Sequence, residues 1–354
     1  MRGLLALIAL LLLGACGKAE PWRQESFVFG TRVEVLITGV GEPQAREAAA
    51  EVLRDFDDLH RRYHAWQPSE LTALNEAIAA GRGHDVTAEL AQFLRAAQTV
   101  AAASGQLFDP GIGRLVALWG FQRDEFEPVL PDANKLAAVV AQHPSIAQLQ
   151  IENDHVSSRN RAVAIDFGGI LKGIALDRAA ARLKARGIPN ALINIGGNIL
   201  ALGDKNGTPW RIGIQHPRPD TVGGMPLASL DLRDGEAIGT SGDYHRFFEL
   251  NGQRYCHLID PRNGQPVTHT RSITVLIPPG PDAGMRSDAL SKPLFIAGAS
   301  WPAMAQGLKL DAVLKVGADG TAEATRAMKE RLTIEAPDIR LQVLQRPASD
   351  TMGR

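Results

Sequence analysis

The chain has very little cysteine: two residues among 354, Cys16 and Cys256. We expect Cys16 to end a targeting segment, which leaves Cys256 alone in the mature chain. A single thiol cannot form a disulfide within one chain. The fold must therefore be stabilised by packing, and a chain of this length with 45% apolar residues can bury a substantial core.

An excess of charge of either sign is also missing. The chain has 38 Lys and Arg against 39 Asp and Glu, a formal net charge of −1, and no long block of like charge. Such a balance gives no general electrostatic attraction to nucleic acid and suggests no charged binding tail. Nucleic acid is therefore excluded as an expected partner.

The apolar run at the N-terminus is too short to span a bilayer. It covers the ten residues Leu4 to Leu13, follows Arg2 and precedes small residues, as in a signal peptide. "LGAC" also resembles the lipobox of bacterial lipoproteins, which implies cleavage before Cys16 and its lipidation. An ordinary secretory signal with a chance cysteine is the alternative. We expect a periplasmic protein with a lipid anchor, and Gly17 in place of an aspartate favours the outer membrane.

Predicted strands and helices follow one another without strict alternation. Apolar residues at three- and four-residue steps predict helices that begin at Pro43, near Thr87, at Ile170 and near Ala283. Alternating patterns predict strands at several places, including Ile146 to Ile151 and Ala162 to Ile165, and a hairpin that turns at Asn251-Gly252. This mixture favours an α+β fold: a single large domain with mixed and antiparallel sheets and flanking helices.

The domain is expected to cover residues 26–346. It would follow a signal peptide at 1–16 and a short tether at 17–25, and it would precede a C-terminal tail at 347–354.

The stretch "DFGGILKG", Asp166 to Gly173, has the elements of an anion site. Two glycines allow a tight turn, the following helix directs free amides and its positive dipole end at that turn, and Lys172 adds a charge. The segment is neither a Walker loop nor a G-x-G-x-x-G loop. A plain strand-to-helix turn with a surface lysine remains the alternative.

Three further stretches are unusually rich in turn residues: "LFDPGIGRLVALWGF" from Leu107, "GTSGDYHRFF" from Gly239 and "HLIDPRNG" from His257. Each alone could be architectural. With "DFGGILKG" they resemble the FAD:protein FMN transferase family of the ApbE type. Nine motifs occur in the family's order: "FGT" at Phe29, "SELTALN" at Ser69, "FDPGIG" at Phe108, "LWGF" at Leu118, "DFGGILKG" at Asp166, "NIGGNI" at Asn194, "SGDYHR" at Ser241, "HLIDPRNG" at His257 and "SDAL" at Ser287.

The resemblance implies a T-fold-related α+β fold and a flavinyltransferase. Such an enzyme takes FAD as substrate, attaches FMN through a phosphoester to a Ser or Thr hydroxyl of a partner redox protein, and releases AMP. The implied acceptor is a periplasmic domain of a membrane redox protein. Two alternatives remain: an FAD pyrophosphatase that yields FMN and AMP, and a non-catalytic lipoprotein that binds or stores flavin.

The resemblance also implies which residues contact FAD. They are Phe29, Trp66, Leu107, Phe108, Asp109, Asp166, Lys172 and Ile259. Flat aromatic faces at Phe29 and Trp66 would suit the flavin or adenine rings, although core packing would equally account for Phe29. Asp166 could instead hold the turn through local amides.

His257 is the expected general base, because a proton must leave the acceptor hydroxyl as its oxygen attacks phosphorus and imidazole titrates near neutral pH. Asp243 and Tyr244 are weaker candidates for positioning the acceptor. Cys256 should point to the opposite face of the strand and be buried rather than reactive.

A magnesium ion is implied beside the pyrophosphate, with the Gly169 carbonyl and Asp288 as ligands. The family's usual third ligand is a threonine four residues after the aspartate, but this chain has Lys292 there. Lys292 could pair with Asp288, although Pro293 predicts that the helix ends or kinks. The ion could bind with fewer protein ligands, the ammonium could replace it, or flavin could bind without transfer.

Overall fold

The computed structural model describes residues 20–123, 125–219 and 223–344. The predicted signal peptide, the lipidation site Cys16 and the predicted C-terminal tail lie outside these residues. The first strand begins at Trp22, within the segment for which the sequence predicts a tether. The predicted domain boundaries stay predictions.

Nineteen strands occur in the described residues, numbered here in chain order. They are β1 (Trp22–Val28), β2 (Thr31–Thr38), β3 (His84–Asp85), β4 (Leu149–Glu152), β5 (His155–Ser158), β6 (Asn190–Ile195), β7 (Asn198–Leu202), β8 (Trp210–Ile214), β9 (Ala228–Leu232), β10 (Ala237–Gly242), β11 (Phe247–Leu250), β12 (Gln253–Cys256), β13 (Ile259–Asp260), β14 (Gln265–Pro266), β15 (Thr270–Ile277), β16 (Ala312–Gly317), β17 (Ala322–Ala324), β18 (Thr333–Ile334) and β19 (Leu341–Val343).

Nine helices accompany the strands in the part of the chain that the structure describes. They are α1 (Glu42–Arg62), α2 (Glu70–Ala79), α3 (Ala88–Ala103), α4 (Gly113–Leu118), α5 (Ala133–Val140), α6 (Leu171–Ala185), α7 (Ala283–Ala297), α8 (Trp301–Gly307) and α9 (Arg326–Lys329). Short 3-10 segments cover Ile146–Gln148, Phe167–Gly169 and Gly298–Ser300. Among these helices none is both long and apolar enough to cross a membrane.

A nine-stranded sheet organises the fold, in the order β1-β2-β6-β7-β10-β15-β16-β17-β19. Its neighbouring strands are antiparallel except for the parallel pair β17 and β19. Smaller sheets have the orders β18-β9-β8, β3-β5-β4, β11-β12 and β13-β14. The prediction of a single α+β domain with mixed and antiparallel sheets is confirmed.

The large sheet has a separate core on each face. Successive side chains along a strand point to opposite faces of the sheet. In β6, Ile193 packs in the core with the helices α1, α3, α6 and α7, whereas Leu192 packs in the core with the small sheet that contains β8 and β9. A third cluster forms around Trp119, Phe121 and Phe248. The site described below lies among residues from the helical side and from this third cluster.

Helices α6 and α7 pack very closely. A Cβ atom at Gly173 would lie 2.4 Å from the Gly284 carbonyl oxygen, and one at Gly284 would lie 2.6 Å from the Gly173 carbonyl oxygen. Asp177 of α6 caps the start of α7 by accepting hydrogen bonds from the amides of Gly284 and Met285 at 2.7 and 2.8 Å. Burial raises the pKa of Asp177 to about 7, although both hydrogen bonds act in the opposite direction.

Several predicted elements occur as expected. Pro43 lies in the first turn of α1, α6 covers the predicted helix after the glycine turn, and β11 and β12 form the hairpin with Asn251 and Gly252 at its turn. The predicted strand at 146–151 is partly right: a 3-10 turn comes first and β4 begins at Leu149.

Two predictions were wrong. Ala162 to Ile165 forms no strand, only a bridge between Ala164 and Ile112. Its backbone groups bond instead to Gly111 and to the Asn75 side chain. Helix α7 continues through Pro293 to Ala297, so the predicted end of the helix at Pro293 was wrong, while a kink there stays a prediction. Its last turn is held because the apolar side chains at 294–296 are all buried in the core.

Candidate functional site

The glycine turn is held by side chains on both sides. One oxygen of Asp166 accepts a hydrogen bond from the Gly168 amide at 2.9 Å, and the other accepts one from Gln122 at 3.0 Å. Lys172, in the first turn of α6, donates from Nζ to the Gly168 carbonyl at 3.1 Å. Asp166 therefore has the turn-forming role, and Lys172 lies against the turn as the motif predicts.

Asp288 of α7 is completely buried beside this turn. Its Oδ2 accepts from the Gly173 amide at 3.0 Å, and its Oδ1 accepts from Asn198 Nδ2 at 3.1 Å. The Asn198 side-chain oxygen lies near Gly239 and has no hydrogen-bond partner among the described residues. The carboxylate is thus held by the start of α6 and by β7.

Two lysines contact the same carboxylate oxygen. Lys292 Nζ lies 2.5 Å from Asp288 Oδ1 and donates to the Asp288 carbonyl at 2.7 Å, while Lys172 Nζ lies 3.6 Å from Oδ1. The Lys292 chain also passes the glycine turn, because a Cβ on Gly169 would lie 3.3 Å from Lys292 Cε. The ion pair predicted between Asp288 and Lys292 is present. The Lys292 side chain lies between Asp288 and Gly169.

Both partners of this ion pair keep their charge at neutral pH. Burial acts to raise the pKa of Asp288, but Lys172 and Lys292 outweigh it and the pKa lies below its usual value. Burial lowers the pKa of Lys292 to about 8, despite Asp288, and Lys172 acts in the same direction as burial. At pH 7 most Lys292 side chains are therefore protonated.

Aromatic rings border the site on another side. Phe29 adopts a positive φ of 57° and its ring lies 6.0 Å from Phe56 and 5.5 Å from His60. Trp66 is partly exposed, and the Arg246 guanidinium lies 5.5 Å from its ring centroid. Phe29 therefore packs partly against the core, whereas Trp66 presents its ring to a cation.

His257 follows β12 and is partly buried, with its ring centroid 6.4 Å from that of Phe121. Its Nδ1 lies 3.2 Å from the Arg246 carbonyl oxygen. A carbonyl oxygen can only accept, so that Nδ1 carries the proton and Nε2 keeps its lone pair. Burial, Arg246 and the two site lysines lower the pKa of His257 to about 3, against the effect of the carbonyl contact.

Four other predicted FAD contacts are buried. Leu107 and Phe108 are core residues, and the Phe108 ring borders Gly169. Asp109 accepts from the amides of Gly111 and Ile146, each at 2.8 Å, and burial raises its pKa. Ile259 packs in the third cluster. Phe108 thus contacts the glycine turn, and the roles of all four residues in binding stay predictions.

Three residues of the site were missed from the sequence: Arg246, Gln122 and Asn198. Arg246 donates to the Phe121 carbonyl at 2.5 Å. Its guanidinium lies over the Trp66 ring and its carbonyl oxygen contacts His257 Nδ1. Arg246 and Asn198 lie within the quoted motifs "SGDYHR" and "NIGGNI", which gave a signal for both. Gln122 follows the "LWGF" motif directly and had no signal of its own.

The two weaker candidates, Asp243 and Tyr244, have other neighbours. Asp243 is engaged by Arg218, with contacts of 2.8 and 2.6 Å, and burial raises the pKa of Tyr244. Tyr244 lines a cavity of about 310 Å³ together with Thr31, Asn194 and His245. None of the predicted flavin contacts lines that cavity. Cys256 is buried, as predicted, and burial raises its pKa to about 12.

The site thus combines the aromatic rings of Phe29 and Trp66, the neutral His257, and the glycine turn with the ammonium groups of Lys172 and Lys292. A turn with adjacent lysines suits a phosphate or pyrophosphate, and an exposed ring beside it suits a nucleotide base or flavin. Within the described residues no group of three or more His, Cys, Asp or Glu side chains is placed to hold a metal ion.

Comparisons with known proteins agree on one family. The model of the ApbE family matches residues 29–314. An FAD:protein FMN transferase of Rhodobacter capsulatus is 41% identical over 86% of this chain, and the chain spans 57% of that relative's length. A Klebsiella pneumoniae protein of the same name is 31% identical over 81% of this chain and 83% of its own.

Solved structures give the same result. The ApbE protein of Thermotoga maritima has a TM-score of 0.78 and 28% identity, over 88% of this chain and 99% of its own. The apo flavinyl transferase ApbE of Pseudomonas stutzeri has a TM-score of 0.74 and 28% identity, over 89% of this chain and 98% of its own.

Proposed function

Because the chain belongs to the ApbE family, we propose that it is an FAD:protein FMN transferase. It takes FAD as substrate and a protein as acceptor, and it attaches FMN to a Ser or Thr hydroxyl. The observation that carries this proposal is the pair of ammonium groups at the glycine turn, on Lys172 and Lys292, in one continuous site with the neutral His257.

The transfer makes one bond and breaks one. The acceptor oxygen forms a bond to the phosphorus on the FMN side of FAD, and the bond from this phosphorus to the bridging oxygen breaks. AMP leaves with the bridging oxygen and its electron pair, while the hydroxyl proton goes to a base. Lys172 and Lys292 stabilise the charge that develops on the phosphate oxygens.

His257 is suited to accept the hydroxyl proton. The Arg246 carbonyl fixes the tautomer, so Nε2 is the atom with a free lone pair. Without substrate, burial together with Arg246 and the two lysines keeps the pKa of His257 low. The negative pyrophosphate would offset the charge of Lys172 and Lys292, so that the pKa of His257 rises on binding and the base becomes stronger.

The function is tested with FAD and an acceptor domain that the Klebsiella relative modifies in the same assay. We expect the wild-type chain to add the mass of FMN to this acceptor and to release AMP. His257→Gln should lower the rate by about 100-fold or more with FAD binding retained. Free FMN and AMP without a labelled acceptor would identify a pyrophosphatase, and intact bound FAD would identify a carrier.

The magnesium ion that the resemblance implies does not fit these side chains. The proposed ligand Asp288 already accepts from Gly173, Asn198 and Lys292, and its carbonyl also accepts from Lys292. The ammonium group lies where the ion would contact this carboxylate. The proposed reaction therefore uses the charges of this chain's own residues.

The proposed location is the periplasm, with a lipid anchor at Cys16 in the outer membrane. Support comes from the sequence "LGAC" and the short apolar run before it. The acceptor would then be the periplasmic domain of a membrane redox protein. Cys16→Ser should move the protein from the membrane fraction to the soluble fraction, and an unchanged distribution would contradict the anchor.

A further inference from the structure

The Lys292 side chain fills the space between the glycine turn and Asp288. We infer that its ammonium group, together with Lys172, supplies the positive charge for which the ApbE-type site is expected to use a divalent cation, so that this chain transfers FMN without magnesium. The inference rests on the proposed function, because it concerns how the same site stabilises the leaving AMP.

The position of Lys292 is fixed by several contacts. Its Nζ has two acceptors, Oδ1 and the carbonyl oxygen of Asp288, at 2.5 and 2.7 Å, and its methylene chain lies against Gly169. The side chain is 13% exposed and Asp288 is 0% exposed. Such a lysine is held on both its polar end and its apolar stem, unlike a surface lysine that samples many rotamers.

The charges in this region oppose the entry of a further cation. Lys172 and Lys292 contribute two positive charges and Asp288 one negative charge, which leaves a net charge of +1 around one carboxylate. A divalent ion at Asp288 would meet two ammonium groups at a buried carboxylate, where like charges repel strongly. The same net positive charge attracts a pyrophosphate.

A metal could bind only if Lys292 moved away. Asp288 would lose its closest contact, and Nζ would lose both acceptors. The other donors to Asp288, on Gly173 and Asn198, would stay in place and direct N–H groups at the carboxylate. These donors compete with a cation for the oxygen lone pairs.

The first experiment measures FMN transfer by the full chain to the acceptor domain that the Klebsiella relative modifies, in excess EDTA and in excess magnesium. We expect wild-type rates that differ by less than about 2-fold between the two conditions. A wild-type rate that falls about 100-fold in EDTA, as expected when one main source of charge stabilisation is lost, would overturn the inference.

Three variants separate charge from structure. Lys292→Met keeps the length of the stem without the charge, and we expect a loss of about 100-fold in both conditions. Lys292→Thr should be as slow as Lys292→Met in EDTA and should regain transfer when magnesium is added.

Lys315→Met is the matched control, since Lys315 is 11% exposed and paired with Glu323 at 3.3 Å in the sheet. It should transfer at the wild-type rate. Full activity of Lys292→Met in EDTA would overturn the inference.

A second experiment needs no activity. Free Mn²⁺ is titrated with each protein and followed by its paramagnetic resonance signal, without FAD. We expect no bound Mn²⁺ for wild type and one equivalent for Lys292→Thr. One equivalent on wild type that is lost in Asp288→Asn would overturn the inference. Absence of transfer by wild type both in EDTA and in magnesium would reject the proposed function, and the Mn²⁺ titration would still decide between lysine and metal.

Discussion

At the scale of single residues, the site depends on charged side chains that lie close together and are mostly buried. Lys172 and Lys292 both favour the charged form of Asp288, whereas Asp288 favours and Lys172 opposes the charged form of Lys292. Removing one member leaves a buried charge without its partner, which is costly. We therefore expect Asp288→Asn to impair the site more through the displacement of Lys292 than through the loss of a carboxylate as such.

His257 gives a prediction about pH. Its charged form is opposed by burial, Arg246, Lys172 and Lys292, so the pKa lies at about 3 instead of near 6.5. The neutral base is therefore present above about pH 4. We expect kcat/KM for FAD, which reports the free enzyme, to stay level from about pH 5 to pH 7 and to fall above that range as Lys292, whose pKa is about 8, loses its charge. Rates of transfer at saturating acceptor would check this.

The control for this pH profile is Arg246→Gln. It removes a cation beside His257, while the backbone carbonyl that contacts Nδ1 remains, so the acid limb of the profile should move to higher pH. A wild-type profile that already falls about fivefold between pH 6.5 and pH 5.5, as for a histidine with the usual pKa, would contradict the assignment of His257 as the base.

At the scale of helices and strands, the site is formed where α6 and α7 meet. The sequence predicted both helices and the glycine turn, because apolar spacing and glycines act locally. It did not predict that α7 continues through Pro293, because that outcome depends on burial of the turn at 294–296 by distant parts of the chain. The strand predicted at Ala162 to Ile165 failed for a similar reason, since Asn75 and Gly111 supply its hydrogen-bond partners.

The close approach of α6 and α7 predicts the effect of one methyl group. In Gly173→Ala the new Cβ would lie 2.4 Å from the Gly284 carbonyl oxygen and 2.8 Å from Asp288 Cβ. We expect the free energy of unfolding to fall by about 1–3 kcal/mol, measured by urea denaturation. Displacement of α7 would also move Lys292, so FMN transfer should fall by about 10- to 100-fold.

Gly307→Ala is the matched control for this substitution. Gly307 ends α8, and a Cβ there would meet nothing within 4 Å. The added methyl group should leave the stability unchanged or raise it by less than about 1 kcal/mol. Equal effects of the two substitutions would show that the contact between α6 and α7 is looser than described.

At the scale of the whole molecule, the sequence motifs predicted which segments meet but not what their side chains do there. Phe108, Asp166, Lys172, His257 and Asp288 were all named from motifs. Their hydrogen bonds depend on partners that only the fold brings together, such as Gln122 for Asp166 and Asn198 for Asp288. Ile259 shows the opposite case, a motif residue whose side chain the fold places in the core.

The site is built from residues that are spread along the chain from Phe29 to Lys292. Bound FAD should therefore stabilise the whole domain against unfolding. At 100 times its dissociation constant, FAD should add about 2.7 kcal/mol to the free energy of unfolding and raise the Tm by roughly 5 °C. We expect a single thermal transition, measured by calorimetry. At the same concentration riboflavin should give a smaller shift, because it lacks the pyrophosphate that Lys172 and Lys292 are proposed to bind. Equal shifts for both ligands would contradict a pyrophosphate site at the glycine turn.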